Sequence, residues 1–120
     1  MSSIEDRVRS PTIWERRLLA RLLEASFSGR DELKVQIETL SCRVIDANGS
    51  LDLQTSSPLI SVVKKRVPVE GAAKDLDGMT IHYLLHVKRG FVNELEIYKD
   101  DSSRVLHRPE PAEVEVVTAE

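Results

Sequence analysis

Residues 79–99, MTIHYLLHVKRGFVNELEIYK, constrain the fold of this chain more than any other stretch. Met79, Ile81, Tyr83, Leu85 and Val87 alternate with Thr80, His82, Leu84, His86 and Lys88. That period of two marks a strand buried on one side. Beyond Gly90, Phe91, Leu95 and Ile97 alternate with Val92, Glu94, Glu96 and Tyr98, so the segment reads as a β-hairpin. Two registers compete. A two-residue Arg89-Gly90 turn sets Leu85 against Glu94 and Tyr83 against Glu96 on the apolar face. A three-residue Lys88-Arg89-Gly90 loop pairs Val87 with Phe91, Tyr83 with Leu95 and Ile81 with Ile97. Because a one-residue slip moves a whole set of side chains to the wrong face, the register that keeps apolar with apolar is preferred. It places Gly90 in a bulged turn, Asn93 opposite Leu85, His82 opposite Glu96 and Leu84 opposite Glu94.

The N-terminal part is helical in pattern. Thr12 and Glu15 form a capping-box pair after Pro11, and Trp14, Leu18, Leu19, Leu22 and Leu23 recur on one helical face, with Gly29 as the natural stop. RDELKVQIETL suits a second helix, with Ser28 and Asp31 as a second capping box. From Cys42 the texture is that of strands: CRVID, the turn signal Asn48-Gly49, then SLDLQ. A strand is expected around Leu59–Lys64, limited by Pro68, with a loop over 70–78 and a short edge strand at Val114–Val116. The resulting expectation is an α+β fold, with two N-terminal helices packed on one face of a mostly antiparallel sheet of four to six strands. The core would hold Trp14, Leu18, Leu22, Ile37, Val44, Leu53, Ile81, Tyr83, Leu85, Leu95 and Ile97. Residues 12–117 would form one domain between flexible ends at 1–11 and 118–120.

A chain of 120 residues, 41% hydrophobic and 31% charged, can bury about two-thirds of its unfolded surface without staples. A net charge of −3 with a pI near 5.7 argues against a general nucleic-acid binder. Cys42 is the only cysteine, which excludes an internal disulfide and suits the reducing cytoplasm as an inert buried thiol. No apolar run has the length of a signal peptide or a membrane span.

Few residues suggest chemistry. His82 and His86 share a strand face with Glu94 and Glu96. Four residues apart on a strand, the two histidines stand ~13 Å from each other, too far for one ion. A cross-strand His82–Glu96 pair needs no metal. Asp75-Leu76-Asp77-Gly78 looks like the opening of a calcium loop, but its twelfth position is His86 rather than Glu, so ordinary turn chemistry is the better account. Lys64, Lys65 and Arg66 form a basic run suited to anion or nucleic-acid contact, without the aromatics that would stack on bases. Trp14 opens an apolar stripe and reads as core. The nucleophile-elbow, phosphate-loop, dinucleotide and zinc-protease motifs are absent, and nothing around Cys42 marks an activated thiol for a dyad with His82 or His86.

VPVE at 67–70, DLDG at 75–78 and IHYLLHVKRGFVNELEIYKDD at 81–101, with the helical lead RLLEASFSG, resemble a family of small bacterial proteins known only as a domain of unknown function. The resemblance spans most of residues 12–117. Its hairpin pattern, LHV-x-x-G-x-x-x-ELEIY, falls here on Leu85, His86, Val87, Gly90, Glu94, Leu95, Glu96, Ile97 and Tyr98. It implies the fold and leaves the function open. The sequence therefore implies a non-enzymatic protein-binding or regulatory domain, with an immunity-type inhibitor as one concrete version. It implies no metal and no cofactor. The partner would be a second copy or another protein, met through His82, Leu84, His86, Val92, Glu94, Glu96 and Tyr98. Acid–base catalysis by His82, His86 and Glu96 is the alternative.

Overall fold

Among the described residues, six antiparallel strands make one sheet in the order β1-β2-β5-β4-β3-β6. They are β1 Leu40–Val44, β2 Leu51–Thr55, β3 Val69–Lys74, β4 Thr80–Lys88, β5 Phe91–Lys99 and β6 Glu115–Thr118. Two short helices, α1 Ile13–Leu22 and α2 Arg30–Gln36, precede them, and the class is α+β. The computed structural model describes residues 7–119 and measures 39 × 38 × 21 Å. The flexibility expected for residues 1–11 and 118–120 falls partly outside the described residues. Within them, Arg9 exchanges backbone hydrogen bonds with Cys42 at 2.8 and 2.7 Å, and Thr118 pairs with Val69 at the end of β6.

The capping box at α1 is reciprocal. The Thr12 hydroxyl accepts from the Glu15 N–H, and the Glu15 carboxylate accepts from the Thr12 N–H at 2.8 Å. Glu15 is buried because Arg9 grips it with both terminal nitrogens, at 2.8 and 3.0 Å. α1 ends at Leu22, well short of Gly29. Its last carbonyls accept from the N–H groups of Leu23, Glu24 and Ala25, and the Arg30 guanidinium donates to the carbonyls of those three residues just beyond the helix. Gly29 instead starts α2 in the left-handed conformation at φ 87°, and α2 has no side-chain N-cap, so the second capping box does not form.

The strand expected around Leu59–Lys64 is an irregular loop, and the loop expected at 70–78 supplies β3. The reason lies in what each segment meets. Residues 59–61 cross the hairpin tip, where Ser61 N–H donates to the Gly90 carbonyl. Leu59, Ile60 and Val62 are exposed there, so their apolar character is not a strand's. In β3, Gly71 has no room for a side chain because Leu22 of α1 and Val114 pack over it. A Cβ on Gly71 would come within 2.6 Å of Val114 Cγ1 and 2.9 Å of Leu22 Cδ2. Gly71→Val is accordingly expected to overpack this contact and cost about 1–3 kcal/mol in a urea titration.

The sheet's apolar face carries Cys42, Leu51, Leu53, Val69, Ile81, Tyr83, Leu85, Val87, Val92, Leu95 and Ile97, all buried with Leu18, Leu19, Leu22 and Leu33 of the helices. Trp14, Ile37 and Val44 pack at its margin. Trp14 lies 6.4 Å from the Tyr83 ring, donates to the Pro109 carbonyl at 2.9 Å and is covered by Arg108, which makes it part of the core edge.

Candidate functional site

The hairpin register decides which side chains meet on the open face. β4 and β5 pair Lys88 with Phe91 and Val87 with Val92, then, beyond a bulge, His86 with Glu94, Leu85 with Leu95, Leu84 with Glu96, Tyr83 with Ile97 and His82 with Tyr98. Neither unbulged register is correct. The turn is the two-residue Arg89-Gly90 one, with φ of 55° and 83°, as a tight hairpin requires. The extra residue is Asn93, and it restores apolar-to-apolar pairing from Leu85 onward. Val92 is 3% exposed and belongs to the core, so it leaves the expected contact face.

The remaining six residues share that face. His82, Leu84, His86, Glu94 and Glu96 are half-buried and Tyr98 is exposed. Each histidine takes a carboxylate diagonal to it rather than opposite. His82 Nε2 lies 2.5 Å from Asp100 Oδ1, and His86 Nε2 lies 2.8 Å from Glu96 Oε1. The His82 ring also stacks on Tyr98 with centroids 4.8 Å apart. The expected His82–Glu96 pair does not form, because the two-residue turn and the bulge each shift β5 by one residue, which sets Glu96 opposite Leu84 and beside His86. Asp100 was not singled out by the sequence, although it stands two residues beyond Tyr98 on the same face.

The bulge creates one further juxtaposition. One donor atom each from His86, Glu94 and Glu96 lies within 4.8 Å of the other two. His86 Nδ1 is buried without a hydrogen-bond partner among the described residues. Neighbouring rows add Asp52 opposite Glu94, Glu70 opposite Leu84 and Glu115 opposite Ala72. Arg43 offsets Asp52 in an ion pair. The field is felt at Tyr98, whose phenol is pushed up by burial and then by the carboxylates of Glu96, Glu70 and Asp100.

Other expected sites resolve structurally. Asp75 and Asp77 bind this chain's own Lys99, with its ammonium 3.0 and 2.6 Å from their oxygens. Cys42 is on the apolar face, opposite in the sheet to His82 and His86, which rules out the dyad. Burial, and then Glu15, push its thiol up, so it is not an activated nucleophile. Lys64, Lys65 and Arg66 are exposed beside the end of β4, where Val87 N–H donates to the Arg66 carbonyl. Among the described residues no helix is long and apolar enough to cross a membrane.

A family model described as a domain of unknown function (DUF6984) matches residues 8–109, and the chain belongs to that family. No curated protein and no solved structure matches it.

Proposed function

We propose that this is a non-enzymatic protein-binding domain that receives a basic partner on the open sheet face. The observation that carries the reading is the composition of that face. Leu84 and Tyr98 form a partly exposed apolar centre, and Glu70, Glu94, Glu96, Asp100 and Glu115 surround it. Arg43 and Lys74 stand at the margins of the face, Arg43 paired with Asp52, but the rim is mostly acidic, which favours a basic partner and disfavours acidic ones. A symmetric dimer through this face would set Glu94 and Glu96 against acidic copies of the same surface, so a different, basic protein fits better than a second copy. An inhibitor of immunity type, covering a cationic site on its target, is the concrete form of this reading, and the cytoplasm is its expected setting.

A photo-crosslinking amino acid at Tyr98 tests it, with the same group at the exposed Val35 of α2 as the control. The expected product is a heterologous adduct with a basic protein from Tyr98 only. With the purified pair, Glu94→Lys/Glu96→Lys should weaken binding at least tenfold, and salt should weaken the wild-type complex. A self-adduct would replace the reading with a homodimer, and no adduct would remove it. Acid–base chemistry by His82, His86 and Glu96 is the second reading, favoured by the two histidine–carboxylate hydrogen bonds. Turnover of any substrate that His86→Ala abolishes would put it first.

A further inference from the structure

We propose that His86, Glu94 and Glu96 form a binding site for a divalent transition-metal ion, with Zn²⁺ as the probe. The proposal does not depend on the protein-binding reading, since it concerns the isolated chain. It starts from the donor set. An imidazole with two carboxylates suits a first-row transition ion, whereas Mg²⁺ and Ca²⁺ prefer oxygen donors alone. One of the three spacings is already that of a ligand pair, and the third donor stands near. With metal–ligand bonds of about 2.1 Å, adjacent ligand atoms stand roughly 3.0–3.5 Å apart. The His86 Nε2–Glu96 Oε1 distance is already 2.8 Å, and the Glu94 donor lies within 4.8 Å of both.

The bland alternative is a histidine hydrogen-bonded to one glutamate, and it leaves two things unexplained. The half-buried Glu94 carboxylate makes no hydrogen bond or ion pair among the described residues, although it sits beside Glu96 and opposite Asp52. Asp52 is offset by Arg43, but Glu94 and Glu96 repel each other, and a bound dication would relieve that repulsion. His86 Nδ1 is buried and unpartnered, while Nε2 faces the Glu96 carboxylate, an acceptor only, so Nε2 carries the proton in the metal-free chain. Nδ1 is unsatisfied in either tautomer. Freeing the Nε2 lone pair moves the proton to Nδ1 and gives up the Nε2–H···Glu96 hydrogen bond, which the bonds from the ion to Nε2 and to the Glu96 carboxylate replace. The absent partner at Nδ1 also bounds the affinity, about 10- to 100-fold weaker than a site with that hydrogen bond in place. The cluster exists only because Asn93 is bulged out. Without the bulge, Glu94 would face Leu85 or Leu84, and bulges of this kind re-aim side chains at functional positions.

Isothermal titration of the metal-stripped protein with ZnCl₂, with metal content read after dialysis, tests the site. One equivalent is expected to bind in a saturable manner and to persist in excess Mg²⁺. His86→Ala and the near-isosteric Glu94→Gln should each weaken binding at least tenfold while leaving the circular dichroism melt intact. His82→Ala and His107→Ala should not change it. Absence of saturable binding would overturn the proposal, as would binding that His86→Ala and Glu94→Gln leave unchanged or that His82→Ala removes equally.

Discussion

Replacing Gln36 with leucine is expected to destabilise the protein by about 2–4 kcal/mol, although leucine fills a similar volume and suits a buried position better. Gln36 is fully buried at the end of α2 and uses both ends of its amide. Its NH₂ donates to the carbonyls of Leu59 at 2.7 Å and Gly90 at 2.8 Å, and its oxygen accepts from the Val92 N–H at 2.9 Å. Three backbone groups from two segments thus meet on one side chain. They do not suffer equally when it is lost. The Leu59 carbonyl lies in an exposed loop and can turn to water, and the Gly90 carbonyl keeps its bond from Ser61 N–H at 2.9 Å. The Val92 N–H is buried and is left with nothing, so it dominates the cost. Gln36→Glu separates the hydrogen-bonding account from a packing account. A carboxylate can accept from Val92 but cannot donate to either carbonyl, so this variant should also be destabilised and should recover partly as the pH falls and the acid gains a proton to donate. Urea titrations of the three proteins at pH 7 and pH 5 check this. A leucine variant as stable as wild type would show that the amide acts only as filler.

The same corner shows where sequence reading reaches its limit. The hairpin itself was plain from alternation, as were the β1–β2 hairpin at Asn48-Gly49 and the capping box at Thr12, because each depends on residues close in the chain. The register was not plain, since both unbulged registers left only minor faults. Yet a signal was present: Val92, Leu95 and Ile97 are the buried apolar residues of β5, and a gap of three before a gap of two is how a bulge appears in a strand. With the bulge missed, Glu94 and Glu96 were set against the wrong partners, and the His86–Glu94–Glu96 cluster could not be seen. The ~13 Å between two histidines on one strand keeps them from sharing an ion, but the His86–Glu94–Glu96 cluster draws on two strands. Gln36 had no signal at all, because a glutamine in a helix is ordinarily exposed and its three partners lie 23 to 56 residues away. Glycine and alanine are weak strand formers, so β3 has little strand signal of its own. Gly71 answers to Leu22 and Val114 packed over it rather than to local preference.

Removing the ammonium of Lys99 is expected to lower stability more than any substitution on the open face, and to change how stability depends on acid. Lys99 occupies an apolar-face position of β5 and is 1% exposed. It is tolerated there because Asp75 and Asp77, from the turn before β4, both bind it. The Asp75 side chain is itself fully enclosed. Burial pushes its carboxyl up, but the N–H groups of Leu106 and Leu76 and the Lys99 ammonium outweigh burial and hold it at about 2. Asp75 thereby ties three segments together: its own turn, the end of β5 and the strap at Leu106, whose N–H donates to it at 2.8 Å. Since the folded carboxyl titrates below its unfolded value of 3.8, the unfolded chain takes up a proton first on acidification. The stabilisation is fully present above about pH 4 and is lost as the pH falls towards 2. Urea midpoints of the wild type should therefore drop across that window. Lys99→Met leaves the carboxylates without their cation, so its midpoint should be far lower at pH 7. Its fall between pH 4 and pH 2 should be shallower, because the folded carboxyl no longer titrates so far below the unfolded one. Asp75→Asn should flatten the same window by removing the titrating group. If Lys99→Met kept the wild-type slope, the backbone N–H groups alone would be holding Asp75 ionised, and the lysine would serve only to fill its place in the sheet.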